Sequence, residues 1–159
     1  MTAQKITPFL WFNDNAEEAM NFYVSTFKNS KVGRVTRSGA AGPGKPGSVI
    51  AATFQLEGQD FYALNGGPQH RFTPAISLFV SCETQEEVDD LWNKLAAGGT
   101  PEQCGWVRDR FGLSWQVIPT ILGKLLGDPD PARAQRAMKA MLGMTKIDIA
   151  GLKRAASEG

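Results

Sequence analysis

One local pattern occurs twice in this chain. The apolar run Phe9–Phe12 is followed by a polar helix-start signal and an acidic, amphipathic segment, and Leu78–Val80 opens the same order again. A repeat of this long a period predicts two similar modules, each of which must bury a sheet face. Strand and helix patterns predict the order βαβββ in each copy, with a degenerate second strand in the second copy. The predicted fold class is α+β, with curved mixed sheets and helices on their outer faces.

The repeat and the turn signals around it set the predicted domain boundaries. We predict a domain over residues 1–119, made of one module at 5–67 and a second at 74–119. Residues 120–159 form a separate helical extension beyond Pro119. The first module should have strands at Ile6–Phe12, Lys31–Arg37, Val49–Leu56 and Phe61–Leu64, with a turn at 57–60. The second should have strands at Ala75–Ser81, Trp106–Asp109 and Leu113–Ile118.

Each predicted module helix begins at a capping-box sequence. Asn15 has Glu18 three residues later, and Thr84 stands in the same relation to Glu87. In such a box each side chain accepts a hydrogen bond from a backbone amide that the helix leaves without a partner.

The helical extension carries methionines at helical spacing. Asp130 before Pro131 is typical of a helix start, and Asp148 is a second candidate cap. Between these caps, Ala134, Met138, Met141 and Leu142 form an apolar stripe. The stripe, with Met144, fits the interface of a homodimer, because Met adapts to irregular contacts. Packing on the chain's own modules is the alternative, since amphipathic helices usually cover their own core.

Composition excludes several classes of function. The 17 basic and 16 acidic residues nearly balance, so nothing indicates a nucleic-acid partner. Apolar runs are too short to predict a membrane span, and the first five residues lack an apolar signal core. Two cysteines are too few for a disulfide scaffold, so we expect a cytoplasmic protein with free thiols.

Local motifs do not indicate a familiar catalytic site. The segment Gly42–Gly47 matches G-x-G-x-x-G, but a strand follows it where a dinucleotide site needs a helix, so we interpret it as a loop or a lid. The single histidine, His70, fits a solvated linker. Cys104 is either a buried thiol or a nucleophile, and Asp109 either stabilises a turn or acts as a general base.

The longer motifs resemble a known superfamily. They are the Ile6–Phe12 opening, the Glu18–Tyr23 helix, the Phe61–Pro68 strand and turn, and the segment from Cys104 to Gln116. Together they resemble the vicinal oxygen chelate (glyoxalase/bleomycin-resistance) superfamily, and more narrowly its PhnB-like branch. That branch carries the family label 3-demethylubiquinone-9 3-methyltransferase. The resemblance covers residues 5–119, and Met144–Ala150 of the extension is also similar to this branch.

The resemblance implies where a metal would bind in related enzymes. Metal-dependent members place His or Glu at four strand positions, which here hold Thr7, Tyr62, Ile76 (or its neighbours Ala75 and Ser77) and Gln116. None of these is an imidazole, carboxylate or thiolate, so we predict no metal and no other cofactor. A metal-dependent glyoxalase or dioxygenase is the alternative, and a methyltransferase is disfavoured because no nucleotide-binding loop precedes a helix. Whether the protein is an enzyme stays open.

The predicted function is the binding of a small molecule in a cleft on the sheet faces. Polar and aromatic side chains at alternating strand positions should meet the ligand. The candidates are Gln55, Tyr62, Ser77, Trp106, Trp115 and Gln116, with Cys82 and Cys104 near the rim. A homodimer is expected from the resemblance. The alternative for each tryptophan is a core position, and for Gln116 a structural hydrogen bond.

Overall fold

A computed structural model describes residues 4–158 of the chain. The ends of the predicted ranges, residues 1–3 and residue 159, lie outside the described residues. The described chain divides between Phe72 and Thr73 into two compact parts, here called unit 1 and unit 2. The helical extension belongs to unit 2.

Unit 1 is a four-stranded mixed sheet with one helix. Its elements are strand β1 (Phe9–Phe12), helix α1 (Ala16–Thr26), and strands β2 (Lys31–Arg37), β3 (Val49–Leu56) and β4 (Gln59–Asn65). The strand order is β1-β4-β3-β2, with β1 parallel to β4 and the other neighbours antiparallel. This is the predicted βαβββ order.

Alternation along the strands of unit 1 separates a core face from an open face. On β3, Ala52, Phe54 and Leu56 are buried, whereas the residues between them are partly exposed. The Phe54 ring stacks on Phe61 of β4, with centroids 5.3 Å apart, and lies 6.3 Å from the ring of Tyr23 on α1. Burying such aromatic side chains stabilises the unit by about 2 kcal/mol each. Within unit 1, helix α1 therefore covers one face of the sheet and not the other.

Local signals placed these elements correctly but missed some of their ends. Strand β1 begins at Phe9 rather than Ile6, and Ile6 is 83% exposed. The predicted four-residue turn consists of Glu57 and Gly58 alone, with φ values of 49° and 83°. Two positive φ angles are the mark of a type I′ hairpin turn, so β4 begins two residues earlier than predicted.

The predicted capping box of α1 does not form. The Asn15 side chain makes no capping hydrogen bond. Instead the Ala16 amide donates to Asn65 Oδ1 at 2.9 Å, and Asn65 Nδ2 donates to the Val49 carbonyl at 3.0 Å. The helix start is therefore fixed by a side chain from β4, a tertiary contact that no local pattern reveals.

Unit 2 repeats the same order and then adds the helical extension. Its sheet contains β5 (Ser77–Cys82), β6 (Thr100–Pro101), β7 (Trp106–Arg108) and β8 (Ser114–Pro119), with helix α2 (Gln85–Ala96) after β5. The strand order is β5-β8-β7-β6, with β5 parallel to β8. Strand β6 has two residues, which confirms the predicted degenerate strand.

The capping box of α2 forms in a modified way. The Glu87 amide donates to Thr84 Oγ1 at 3.2 Å, as predicted. The Glu87 carboxylate accepts from the amide of Glu83 at 3.0 Å, one residue before the expected donor. Because β5 runs from Ser77 to Cys82, the cap follows the strand after a single intervening residue.

The extension forms three helices that pack on unit 2. They are α3 (Thr120–Leu126), which sequence reasoning missed, α4 (Pro131–Leu142) and α5 (Ile149–Ser157). Ile118, Leu122, Ile147 and Leu152 form their buried cluster, and Met141 and Met144 pack against it. The extension thus packs on its own unit.

The buried face of α4 differs from the apolar stripe that we predicted. Ala137 is fully buried, whereas Met138 is 37% exposed and Leu142 is 60% exposed. At the start of α5, Asp148 occupies the capping position, but its side chain makes no capping hydrogen bond. The Ile149 amide donates instead to Gln85 Oε1 at 2.8 Å, so α2 provides the cap. No helix within residues 4–158 has the length and apolar character that crossing a bilayer requires.

Candidate functional site

The open face of the unit 1 sheet carries two rows of side chains. Strand register places Lys31, Gln55 and Asp60 side by side across β2, β3 and β4. The neighbouring row contains Tyr62 between Thr53 and Phe9. Side chains in one row of a sheet point to the same face, so a polar row adjoins a partly aromatic one.

A cavity of about 340 Å³ opens over these two rows. Its lining comes from unit 1 alone: Gln4, Thr7, Lys31, Gly33, Thr53, Phe54, Gln55, Asp60, Phe61 and Tyr62. A Cβ atom at Gly33 would collide with the Thr53 hydroxyl and carbonyl. The close approach of β2 to Thr53 therefore needs glycine, and no side chain of residue 33 fills the space.

Hydrogen bonds hold one carboxylate in place at this cavity. Gln55 Nε2 donates to Asp60 Oδ1 at 2.7 Å. Gln4 Nε2 donates to the Asp60 carbonyl at 3.1 Å, and Gln4 Oε1 accepts from the Asp60 amide at 3.0 Å. Within residues 4–158, Asp60 Oδ2, Gln55 Oε1 and Lys31 Nζ make no hydrogen bond or ion pair. The cavity thus offers two acceptors and a cation.

Tyr62 forms an aromatic surface beside the polar row. Its ring stacks on Phe9 with centroids 5.4 Å apart and an interplanar angle of 24°. Tyr62 is 41% exposed and Phe9 is 57% exposed. Exposed, stacked rings are a surface on which a planar ligand can lie.

In unit 2 the corresponding face holds the other predicted polar residues. Ser77, Trp106 and Gln116 lie on it, because Gln116 pairs with Trp106 across the sheet and with Phe79 of β5. Gln116 Nε2 donates to Ser77 Oγ at 2.9 Å, so these two polar groups are partners of each other. The structure brings Gln55 and Tyr62 together in one unit, and Ser77, Trp106 and Gln116 together in the other.

Trp115 lies on the opposite face of the unit 2 sheet from Gln116. It is 2% exposed, and its Nε1 donates to Asp109 Oδ2 at 2.8 Å. Asp109 Oδ1 accepts from the amides of Phe111 and Leu113 at 2.8 and 3.1 Å. Asp109 is itself 2% exposed, which confirms the turn-stabilising role among the two predicted for it. Trp115 is a core residue instead of the ligand contact that we predicted.

The two thiols lie in different surroundings. Cys82, predicted near the rim, is fully buried on the α2 side of the sheet. Burial, followed by the charges of Glu87 and Glu83, raises the pKa of Cys82 to about 12, so its thiol is unreactive at neutral pH. Cys104 is half-buried with a φ of 59°, and its amide donates to the Met144 carbonyl at 2.8 Å. Cys104 thus lies where the backbone of the second module is hydrogen-bonded to the extension.

The residues at the expected metal positions do not fit a transition-metal ion. Thr7 Oγ1 is 3.4 Å from Gln4 Nε2, which donates to it, and Ser77 is bonded to Gln116. Ile76 precedes β5 and is 74% exposed, so Ser77 is the residue that shares a site with Gln116. Among residues 4–158, no three His, Cys, Asp or Glu side chains converge. Neutral hydroxyl, phenol and amide groups are poor ligands for such ions.

The glycine-rich loop does not cover this cavity. It leads directly into β3, as predicted, and its ends are joined by bonds from the Ser38 amide to the Ser48 carbonyl and from the Gly47 amide to the Ser38 carbonyl, both 2.8 Å. The loop follows Arg37, whereas the cavity lies near Lys31 at the other end of β2. Six residues of strand span about 20 Å. The lid interpretation therefore fails for this cavity.

Comparison with known proteins defines the class of fold. A PhnB protein from Bacillus cereus is 45% identical, with a TM-score of 0.68 over 74% of this chain and 100% of its own. Protein PA1353 from Pseudomonas aeruginosa is 22% identical, with a TM-score of 0.62 over 74% of this chain and 98% of its own. A glyoxylase/bleomycin resistance protein/dioxygenase domain from Frankia sp. is 15% identical, with a TM-score of 0.46, over 74% and 93% of the two chains. No curated protein matches significantly.

The sequence model of the 3-demethylubiquinone-9 3-methyltransferase family matches residues 4–118. The chain belongs to this family, and the PhnB protein from Bacillus cereus is similar to it in sequence and fold. Helices α3, α4 and α5 begin after the matched region. Because the Bacillus cereus protein is covered completely by 74% of this chain, the extension adds to what the two share.

Sequence reasoning missed Lys31, Thr53 and Asp60 as site residues. Thr53 could have been predicted from strand alternation. It lies two residues from Gln55 on one predicted strand, so the two side chains must share a face. Asp60 was assigned to the turn, which removed it from the strand. Lys31 opens β2, and only the sheet register shows that it lies beside Gln55.

Proposed function

We propose that this protein binds a small organic molecule, without a metal ion, in the cavity on the open sheet face of unit 1. The main support is the combination of a cavity of about 340 Å³ with polar groups that lack partners among residues 4–158. Ligand sites in proteins are commonly concave, of this size, and lined by apolar surface with a few convergent polar groups. Gln55 and Tyr62 are the predicted ligand residues that line it.

The donor set argues against metal-dependent chemistry at this cavity. Its one carboxylate, on Asp60, is already bonded through Oδ1 to Gln55. Catalytic zinc sites use three protein ligands drawn from His, Glu, Asp and Cys, and Tyr62, Thr7 and Thr53 supply none of these. Recognition by hydrogen bonds and stacking needs no such ligands and fits the residues present.

The methyltransferase activity in the family description has less support. Methyl transfer from a nucleotide-bearing donor ordinarily uses a glycine-rich turn at a helix N-terminus to hold the donor. Here the glycine-rich segment leads into strand β3, and its residues are not among those lining the cavity. Small-molecule binding is therefore the function that the geometry supports best.

A thermal-shift screen of small carbonyl compounds, quinones and planar aromatic compounds tests the proposal. A ligand at about 100 times its dissociation constant should stabilise the fold by about 2.7 kcal/mol. Tyr62→Ala should abolish the shift of a true ligand, whereas Leu142→Ala, which shortens an exposed side chain of unit 2, should leave it unchanged. A shift that persists in Tyr62→Ala would place the ligand elsewhere.

Elemental analysis of protein purified without chelator separates this proposal from metal-dependent catalysis. We expect less than one transition-metal ion per ten chains. Stoichiometric nickel, zinc or iron that is lost in Tyr62→Ala or Gln116→Ala would favour the metal-dependent enzyme.

We also propose that the protein is a homodimer. Exposed apolar side chains support this, since each unit has two at corresponding places, Ile6 and Phe9 in unit 1 and Ile76 and Phe79 in unit 2. Exposed apolar clusters often mark interfaces. Sedimentation at micromolar concentration should give a dimer, and a monomer under those conditions would contradict the proposal.

A further inference from the structure

We infer that the cavity of unit 1 selects a small planar molecule that carries an anionic group at one end and a hydrogen-bond donor at the other. The inference rests on the proposed function and specifies its ligand class. It follows from the order of Lys31, Gln55 and Asp60 across the sheet.

The charged groups stand at opposite ends of one row. Lys31 on β2 is paired in register with Gln55 on β3, and Gln55 is paired with Asp60 on β4. Adjacent strands are about 4.8 Å apart, so the backbones that carry the two charges are separated by about 10 Å. No ion pair joins Lys31 to Asp60. A planar molecule that lies along this row would have Lys31 at one end and the Asp60 carboxylate at the other.

The acceptor end is the more ordered of the two. Gln55 donates to Asp60 Oδ1 at 2.7 Å, which leaves Asp60 Oδ2 and Gln55 Oε1 as neighbouring acceptors. Acceptors on two side chains that are bonded to each other are suited to an ammonium, amide or hydroxyl group, each of which donates. Gln4 holds the Asp60 backbone through its carbonyl and its amide, so the carboxylate is held before any ligand arrives.

The cation end provides the complementary charge. Lys31 lines the cavity with an ammonium group that makes no ion pair within residues 4–158. Hydrogen bonds that involve an ionised group are about twice as strong as neutral ones. A carboxylate or a similar anionic oxygen group is therefore favoured at this end, with its ring against Tyr62.

A matched set of probes tests the charge pattern. They are 4-(aminomethyl)benzoate, which carries both groups, benzoate, which lacks the donor, benzylamine, which lacks the anion, and benzyl alcohol, which is uncharged. Affinities are measured by NMR titration of the full chain at millimolar probe concentrations and low ionic strength, because salt screens these contacts. We expect 4-(aminomethyl)benzoate to bind about tenfold more tightly than benzoate or benzylamine, as each charge-assisted hydrogen bond contributes about that factor.

Two substitutions test which residue binds each end of the ligand. Lys31→Met should weaken 4-(aminomethyl)benzoate and benzoate about tenfold and leave benzylamine unchanged. Asp60→Asn should weaken 4-(aminomethyl)benzoate and benzylamine and leave benzoate unchanged. The control substitutions Lys28→Met and Asp14→Asn alter exposed charges that do not line the cavity, and should have no effect.

The outcomes separate this inference from the proposed function. If all four probes bind with equal affinity and Tyr62→Ala abolishes their binding, the cavity is a ligand site but its charge selection is refuted. If none of the four binds, the ligand class is wrong, while the broader thermal-shift screen still decides whether the cavity binds any ligand. If binding persists in both Lys31→Met and Asp60→Asn with unchanged order, the row does not recognise the ligand.

Discussion

Unit 1 and unit 2 share one strand topology. They differ in the hairpin turn between their last two strands, in the bonding of their polar side chains and in the helices that pack on them. In unit 1 the hairpin between β3 and β4 turns through two residues. A cavity there is lined by Asp60, Gln55 and Lys31, whose Oδ2, Oε1 and Nζ atoms lack partners among residues 4–158. In unit 2 the hairpin between β7 and β8 turns through five residues around buried Asp109, and three helices pack on the unit. Gln116 and Ser77, on the open face of unit 2, bond to each other.

The difference lies in how each unit uses its polar side chains. A buried carboxylate is tolerated only when donors satisfy it, and in unit 2 Asp109 accepts hydrogen bonds from the Phe111 and Leu113 amides of the turn and from the Trp115 indole. In unit 1 the open face has two acceptors, Asp60 Oδ2 and Gln55 Oε1, that lack partners among residues 4–158. We therefore propose that unit 1 holds the ligand site, whereas the Asp109 turn in unit 2 serves stability.

The largest expected effect is on the Asp109 turn. Asp109→Ala leaves the Phe111 and Leu113 amides and the Trp115 indole without their acceptor, so unit 2 should lose about 4 kcal/mol of unfolding free energy. Urea denaturation followed by tryptophan fluorescence measures the loss in a Trp11→Phe background, which confines the signal to unit 2. Exposed Asp90→Ala is the control, with an expected change below about 0.5 kcal/mol. Equal effects would show that the turn does not depend on Asp109.

The next effect concerns the helical extension, and two leucines offer a matched pair. Leu152 is fully buried in the cluster with Ile118 and Leu122, whereas Leu142 is 60% exposed. Leu152→Ala should cost about 3 kcal/mol, because it removes buried methyl groups and leaves a cavity. Leu142→Ala should change stability by less than about 0.5 kcal/mol. If the Leu142 substitution proved the more costly in dilute protein, the exposed face of α4 would be buried by another chain.

The smallest effect is a pH dependence of the attachment of the extension. A hydrogen bond from Lys146, and then one from Gln85, lowers the pKa of Asp89 below its usual value of 3.8. A lowered pKa means that the stabilisation is complete above pH of about 4 and is lost as pH falls through the folded-state value. Because the Asp89 side chain is 41% exposed, screening limits the contribution to less than about 1 kcal/mol.

Hydrogen exchange of the Ile149 amide between pH 5 and pH 2 measures this attachment, after correction for the intrinsic exchange rate. Protection should fall below pH 4 in the native protein. Lys146→Met should lower protection above pH 4 and flatten the profile, whereas Lys94→Met, which breaks the exposed pair with Asp90, should leave the profile unchanged. An unchanged profile in Lys146→Met would refute the role of the ion pair.

Much of the fold was predictable, because its signals are local. The two βαβββ units, the short β6 and the start of α4 at Asp130 all follow from periodicity and capping residues, and the structure confirms them. The start of α1 was predicted from Asn15 but depends on Asn65, which is distant in sequence. Local patterns cannot show which distant group satisfies a backbone amide.

The site was less predictable, because it depends on which face of its strand each side chain occupies and on how neighbouring strands are paired. Trp106 and Trp115 lie on opposite faces, since the five-residue turn between their strands sets which residues are paired. A one-residue change in register exchanges the two faces of a strand. On α4 the buried face was hard to predict for a similar reason. Each residue turns the helix by about 100°, so Ala137 is buried while its neighbour Met138 is exposed. Gln55 and Tyr62 were predicted from strand alternation, and Tyr62 also from the resemblance, but Lys31 could be found only from the sheet register.

The most direct test of the account is chemical-shift mapping with 4-(aminomethyl)benzoate on the isotopically labelled chain. Ligand recognition by unit 1 predicts that the perturbed amides cluster at Gln55, Asp60 and Tyr62, and that those of Ser77, Trp106 and Gln116 stay unchanged. Perturbations centred on the amides of Ser77, Trp106 and Gln116, with unchanged chemical shifts in unit 1, would contradict the proposal that the ligand binds unit 1.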